Sequence, residues 1–463
     1  MTAESMGSGL EVPKAWYNIL ADLPDYVPQE RRPPTDIGPE SDGPEADGPV
    51  RLVPQLPLTI YRQSVSRDRF IPIPDEVLSQ YERWRPTPLL RARAFEKQLD
   101  TPARIYYKHE GVSPSGSHKL NSALAQAYYY HKAGIRELTT GTGAGQWGTA
   151  MAMACRAFGL TCTVFMVRCS YDQKPQRRLM MELLGARVVP SPSPLTRSGR
   201  TVLASSPDSP GSLSIAGSEG IQYAWEDPGR RYAAGSAENH VLLHQTVIGQ
   251  EAVGQMRRLG EFPDVVVAAI GAGSNFAGLA FPFFRESLSQ GRDTELVAVE
   301  PKACPKLTRG RYIWDHHDAA GSMPMSKMYS LGHEFVPPAI HAGGLRYHGA
   351  APIVSWMYHQ KLMSAVAYGQ REVFEAGLAF ARAEQIIPAP ESAHAIRCVI
   401  DKAAQARKTG RDTVILFSLS GHGLMDLGAY QQYLDGSLPD DAEFDDLMAD
   451  PANRLAGRPE SLG

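Results

Sequence analysis

Gly111-Val112-Ser113-Pro114-Ser115-Gly116-Ser117-His118-Lys119-Leu120-Asn121 is a small, polar loop set between two segments of contrasting period. Before it, Arg104-Ile105-Tyr106-Tyr107-Lys108 is short, β-branched and aromatic, the pattern of a strand; after it, Leu120 to Lys132 carries Ala, Leu, Gln and Tyr at helical spacing. The loop therefore delivers one lysine, Lys119, to the first turn of a helix on a strand-loop-helix unit. Unpaired amide N–H groups at a helix start disfavour an ammonium, so a lysine held there is pushed toward the neutral, nucleophilic form that a Schiff base requires.

Working outward, the same punctuation recurs. Asp264 to Ile270 reads as a buried strand and is followed at once by Gly271-Ala272-Gly273-Ser274-Asn275. Glycines let the backbone approach an anion, and amides at a helix start hold a phosphate without a cation. The run lacks the Lys-Ser/Thr of a P-loop, and its glycine spacing is not that of a dinucleotide fingerprint. A second loop, Gly141-Thr142-Gly143-Ala144-Gly145-Gln146-Trp147-Gly148, precedes a helical pattern over Thr149 to Phe158 and offers a nest for a carboxylate. Two such cradles with an activated lysine suggest an amino acid held against a phosphorylated aldehyde.

A third strand, Thr413 to Phe417, leads to Ser418-Leu419-Ser420-Gly421, which offers the Ser420 hydroxyl to a ring nitrogen. A serine there does not keep a pyridine protonated, which suits elimination and replacement at a β-carbon. Glu391, in Pro388-Ala389-Pro390-Glu391-Ser392, is either a support for that ring or an ordinary helix N-terminal carboxylate.

The rest of the chain is organised around this machinery. Further strands are read at Leu160 to Cys169, Arg187 to Val189 and Glu295 to Val299, with a helix over Gln176 to Leu184 closed by Gly185. Near-continuous apolar strands separated by helices mean parallel sheets covered on both faces. At 463 residues the chain exceeds one ordinary core. We read an α/β protein of two doubly wound lobes with the site between them. An extended N-terminal arm covers 1–50, with Trp16 to Leu20 docked on the body and the Pro- and Asp-rich Thr35 to Val50 along the surface. The N-terminal lobe covers 51–240 and includes a mobile substrate-side region at about 134–222, of which 191–222, rich in Ser, Pro and Gly, reads as a loop and lid. The C-terminal lobe covers 241–435, and about 85–117 pairs with it; 436–463 is an acidic, flexible tail.

Composition excludes several classes. Forty-seven basic and fifty acidic side chains give a net charge of −3 without a basic block, so nucleic acid is not an expected partner. No apolar run approaches the roughly 20 residues that span a bilayer. Five cysteines without paired spacing fit a reduced, cytoplasmic protein with no metal site.

Taken in order, several phrases resemble the tryptophan synthase β-chain family, specifically its second, longer type. They are Lys108 to Lys119, Gly143 to Gly148, Gln173-Lys174-Pro175, Ser209 to Leu213, His240 to Thr246, Gly273-Ser274-Asn275, His341 to Gly349, Pro388 to Ser392 and Leu419 to Gly423. The resemblance implies a fold-type II, pyridoxal 5'-phosphate-dependent homodimer with no obligate α-subunit. It implies that Lys119 forms the internal aldimine and moves the α-proton. His118, Asn121 and the run Gly271 to Asn275 would hold the cofactor, with Glu391 and Ser420 at its ring, and Thr142, Gly143, Ala144, Gly145, Gln146 and Trp147 would bind the substrate carboxylate. Members form an aminoacrylate from serine, which indole attacks to give tryptophan.

The departure is at Gly141, where the family carries the glutamate that assists hydroxide departure and handles indole's protons. Its loss implies impaired chemistry, since such help is worth roughly 10²–10⁴-fold, and it implies open space over the reacting carbon. Gly217, Gly220, Glu238 and Asp315-His316-His317-Asp318 also depart from the usual pattern. The expected activity is β-substitution on serine, or on a serine with a better leaving group, by indole or a bulkier aromatic nucleophile. Two alternatives stand beside it: ordinary tryptophan synthesis with a substitute carboxylate such as Glu219 or Glu238, and a binding protein that no longer turns over.

Overall fold

The computed structural model describes residues 11–28, 30–31, 56–439 and 446–447. Two parallel sheets organise them. The smaller contains Glu137–Thr142 (β3), Thr161–Val167 (β4), Arg187–Ser191 (β5) and Arg230–Tyr232 (β6), all parallel, in the order β5-β4-β3-β6. The larger contains Leu89–Arg91 (β1), Arg104–His109 (β2), Val265–Ala269 (β7), Glu295–Pro301 (β8), Ser364–Tyr368 (β9) and Val414–Leu419 (β10), in the order β9-β8-β7-β10-β2-β1. Only β1 there is antiparallel to its neighbour. Val265 to Ala269 and Val414 to Leu419 are buried along their whole length, the signature of strands covered on both faces.

The lobes are not consecutive in sequence. β2 pairs with β10, Leu416 opposite Tyr106, so the strand that leads into the Lys119 loop belongs to the sheet built mainly from the C-terminal half. The helix after that loop, Leu120–Lys132 (α1), packs beside Gln146–Ala157 (α2) of the other lobe. Lys119 thus stands where the chain crosses between sheets.

The expectation of a loop over 191–222 is corrected. The helices Arg197–Ser205 and Leu213–Trp225 (α3) occupy most of it. Serine and threonine here are caps rather than loop residues: Thr196 accepts the Gly199 amide and Ser212 accepts the Ile215 amide. Ile215, Ala216, Ile221 and Ala224 supply the apolar face that α3 buries. The strand read over Leu160 to Cys169 ends at Val167, and Arg168–Gln173 is helical.

Near the N-terminus, Ala15–Tyr17 pairs with Phe70–Pro72, and the fully buried Trp16 ring lies 4.5 Å from the His244 ring. The arm is docked there as expected; Thr35 to Val50 and nearly all of the acidic tail lie outside the described residues. Among the described residues no helix is long and apolar enough to cross a membrane, and no cluster of three or more His, Cys, Asp or Glu could hold a metal.

Candidate active site

The C-terminal ends of β2, β10 and β7, neighbours in the large sheet, open toward the end of β3 in the small one. Two joined cavities fill the space, and both are lined by Lys119, Gln146, Ser236, Ala272 and Gly344. The smaller reaches Ser117, His118, Gly271, Ser274, Asn275, Glu391 and Ser420. The larger reaches Gly141 to Ala144, Trp147, Gly217, Tyr232, Glu238, His317, Asp318 and Tyr347.

Burial pushes the Lys119 amine down to about 8, with the Glu391 carboxylate opposing. The cause is desolvation, in place of the helix-start amides expected from the sequence: Lys119 has helical backbone angles at the N-cap of α1. His118 beside it is held neutral, pushed down to about 3 by burial and then by Lys119. Its Nε2 lies 3.2 Å from Ser274 Oγ, and its amide donates to the Ser420 carbonyl at 2.9 Å.

Two helices begin at the cavities in the same way. Ser274–Gln290 (α5) and α2 each follow a glycine with positive φ, Gly273 at 151° and Gly145 at 90°, and neither N-cap glycine offers a side chain, although Thr142 Oγ1 accepts the Gly148 amide of α2 at 3.2 Å. A β-carbon is disfavoured in that conformation, and the remaining first-turn amides are placed to face an anion. Gly273 and Gly145 shape these turns without lining the cavities.

The site's polar side chains are tied to the protein. Asn275, which lines the smaller cavity, accepts Ser418 Oγ at its Oδ1 at 2.6 Å and donates its Nδ2 to the Ala269 carbonyl. Ser420 Oγ lies 2.8 Å from Ser392 Oγ. Glu391, in the first turn of Pro390–Thr409 (α6), accepts the Gly344 amide at 2.9 Å and Gln146 Nε2 at 3.1 Å. Trp147 Nε1 donates to Thr140 Oγ1 at 2.6 Å.

Asn121 is not brought to either cavity. Its side chain accepts Arg85 Nη1 at 2.8 Å and donates to Gln245, within a buried network in which Arg85 pairs with Glu110 and Glu251, and Lys108 with Glu251. It anchors the Lys119 loop from behind.

Sequence reasoning missed the turn Gly343–Leu345, although it falls within one of the quoted phrases. This turn is wedged between the two cradles: a β-carbon on Gly143 would meet the Gly343 carbonyl at 2.6 Å, and one on Gly271 would strike the Gly344 carbonyl. Also unassigned was the tie from Lys174 to Asp426, 2.5 Å between fully or nearly fully buried side chains, with Arg177 beside it. It joins the small-sheet lobe to the segment after β10.

The space expected at Gly141 is absent. A β-carbon there would sit 2.7 Å from the Gly217 nitrogen and 2.8 Å from the Ala216 carbonyl carbon, because the backbone of α3 occupies that place. Gly220 lets the same helix settle against Thr140 and the Tyr232 ring. Glu219 faces away, its Oε1 taking the Ser193 amide and hydroxyl and Thr196 Oγ1.

The donor set fits pyridoxal phosphate: a desolvated lysine, an uncapped helix start a few residues along the same wall, and a neutral hydroxyl across from it. A family model described as pyridoxal-phosphate dependent enzyme matches residues 81–421, and the protein is a pyridoxal-phosphate-dependent enzyme. Over 92% of its length it is 52% identical to the tryptophan synthase beta chain 2 of Methanosarcina mazei, covering 95% of that protein. Over 93% it is 53% identical to that of Aquifex aeolicus, covering 98%. The chain belongs to the tryptophan synthase β-chain family. Its fold is also that of a fungal L-serine ammonia-lyase from Rhizomucor miehei, with a TM-score of 0.56 at 14% identity over 75% of this chain and 97% of the other.

Proposed function

We propose that the chain catalyses β-substitution on serine, or on a serine bearing a better leaving group than hydroxide, joining it to an aromatic nucleophile to make tryptophan or a tryptophan-like amino acid. The observation that carries this reading is the pair of cavities meeting at Lys119. The smaller brings together the groups that would meet a phosphorylated cofactor, and the larger has the aromatic walls Trp147, Tyr232 and Tyr347. The naming of relatives at 52–53% identity supports serine and indole as the reference substrates.

Pyridoxal phosphate, when bound, supplies an electron sink for the pair released at an amino acid's α-carbon. Lys119 Nζ would hold the cofactor and is the amine placed to take the α-proton, a task suited to a group pushed down to about 8. The amides of α2 and its preceding loop, 142–147, orient the substrate carboxylate. His118 and the start of α5 bind phosphate through neutral donors and the helix dipole. Ser420 offers a hydroxyl to the ring nitrogen without charging it. The turn 343–345 lies close over both cradles, beside Gly143 and Gly271.

With glycine at 141, no carboxylate stands at the family's acid position, which favours a leaving group that departs unassisted. Mixing the cofactor-loaded chain with serine, O-acetylserine and O-phosphoserine tests this by absorbance. We expect a substrate-dependent spectral change in the chain, fastest with the esters, and none in Lys119→Ala, whose turnover falls by at least about 10²–10⁴-fold. An unresponsive chromophore with all three donors overturns the reading in favour of a binding protein.

A further inference from the structure

Behind the phosphate cradle lies a lysine that the chemistry above does not use. Lys306 is fully buried, and so is the Glu300 carboxylate 3.6 Å from its Nζ. Buried lysines are uncommon and are held by partners where they occur. Glu300 is already bonded nearby, taking the Leu307 and Thr308 amides and Thr308 Oγ1 at 2.7–3.0 Å. Lys306 Nζ turns to carbonyls, donating to that of Ile270 at 3.1 Å and more loosely to that of Cys304 at 3.4 Å. Ile270 is the last residue before the cradle, and Gly271, which follows it, lines the smaller cavity. The peptide between them is trans and planar, so its carbonyl and its N–H point in opposite directions. Whatever holds the Ile270 carbonyl therefore sets where the Gly271 N–H points.

We propose that Lys306 is a positioning residue for the cofactor phosphate: its bond to the Ile270 carbonyl aims the Gly271 N–H into the smaller cavity and strengthens it as a donor. The assignment rests on the reading of 271–275 as the phosphate cradle. A cationic donor on the carbonyl of a peptide draws electron density from its N–H, so the amide that meets the anion is more polarised than an ordinary one, an effect that burial preserves. Among the described residues the Gly271 amide donates to no protein acceptor. The rest of the cradle is fixed by other means. Helix α5 lies tight on Asn239–Gln245 (α4), where a β-carbon on Gly278 would meet Gln245 Cβ at 2.9 Å, and the Asn275 side chain is tied to Ala269 and Ser418. The 270–271 peptide precedes that helix, and Lys306 is what grips it.

Dialysis of the full chain loaded with pyridoxal 5'-phosphate, and separately with pyridoxal, which has the same ring and aldehyde without the phosphate, gives both dissociation constants by absorbance. Lys306→Met, which fills the same space without a donor, weakens the phosphorylated ligand by about 10-fold and leaves pyridoxal unchanged. Lys306→Gln, which can still donate to the Ile270 carbonyl but carries no charge, loses less. A role in packing alone would weaken the two ligands alike, and thermal unfolding shows that the variants remain folded. An equal loss for both ligands, no loss for either, or failure of both variants to fold each overturns the assignment. If the unsubstituted chain holds pyridoxal as tightly as its phosphate, the cradle at 271–275 falls and this assignment with it. No amino-acid donor is present, so an unresponsive chromophore in the serine experiment refutes the catalytic reading without touching this result.

Discussion

The wall that faces the cofactor and the wall that faces the nucleophile are built on opposite principles. Around 118, 271–275 and 420 the side chains of His118, Ser274, Asn275 and Ser420 are bonded to other parts of the protein, and backbone amides are placed to meet a ligand. Around 141, 217 and 220 the design works by omission: side chains are missing so that α3 can lie directly on β3. The contrast teaches that one wall offers backbone dipoles held in fixed orientation, whereas the other is shaped by how closely a helix approaches a strand. At Gly141 there is no room for a side chain, because the α3 backbone at Ala216 and Gly217 already fills that place.

Three measurements bear on this contrast. The largest effect is expected at the tie between the two walls. Asp426→Asn removes the charge that Lys174 and Arg177 share in a buried setting, and breaking such a pair costs roughly 3–5 kcal/mol. Denaturant unfolding of the cofactor-loaded chain should register that loss; a change under 1 kcal/mol would mean the walls are held together elsewhere.

Next is Gly141→Glu. Adding a side chain where α3 backbone stands 2.7–2.8 Å away forces the helix to move, and overpacking of this kind typically costs about 1–3 kcal/mol. Stability should fall, and the indole rate should not rise. A variant as stable as the parent with faster indole turnover would show that α3 yields freely and that omission is not what shapes this wall.

The smallest effect concerns the cofactor wall. Lys119 must be neutral to capture the aldehyde, so capture by the cofactor-free chain should rise with pH and level off around 8 rather than near the ordinary lysine value of 10.5. The Glu391 carboxylate favours the ammonium, so Glu391→Gln should move that midpoint to lower pH. Stopped-flow absorbance across pH 6–10 reads both; a midpoint that stays put would leave Glu391 with only its bonds to Gly344 and Gln146.

Much of this was legible in the chain. Parallel strands announced themselves as continuous apolar runs, and the cradles as glycines between a strand and a helix, because those signals are local. The segment 191–222 was misread for a matching reason: Ser, Pro and Gly mark both loops and helix starts, and only packing of Ile215, Ala216 and Ile221 decides between them. Asn121 was assigned to the cofactor by the family resemblance, yet two residues beyond Lys119 its side chain is turned to Arg85 and Gln245.

Sequence by itself determined the family and the glycine turns between strand and helix, since each depends on residues a few positions apart whose pattern survives any arrangement of the rest. Tertiary structure alone decided that Gly141 is covered by α3, that Glu219 is turned away, and that Glu238 shares a cavity with Lys119. Those facts depend on how elements distant in the chain stack, and no local pattern encodes the distance between a helix backbone and a strand it meets some 75 residues later.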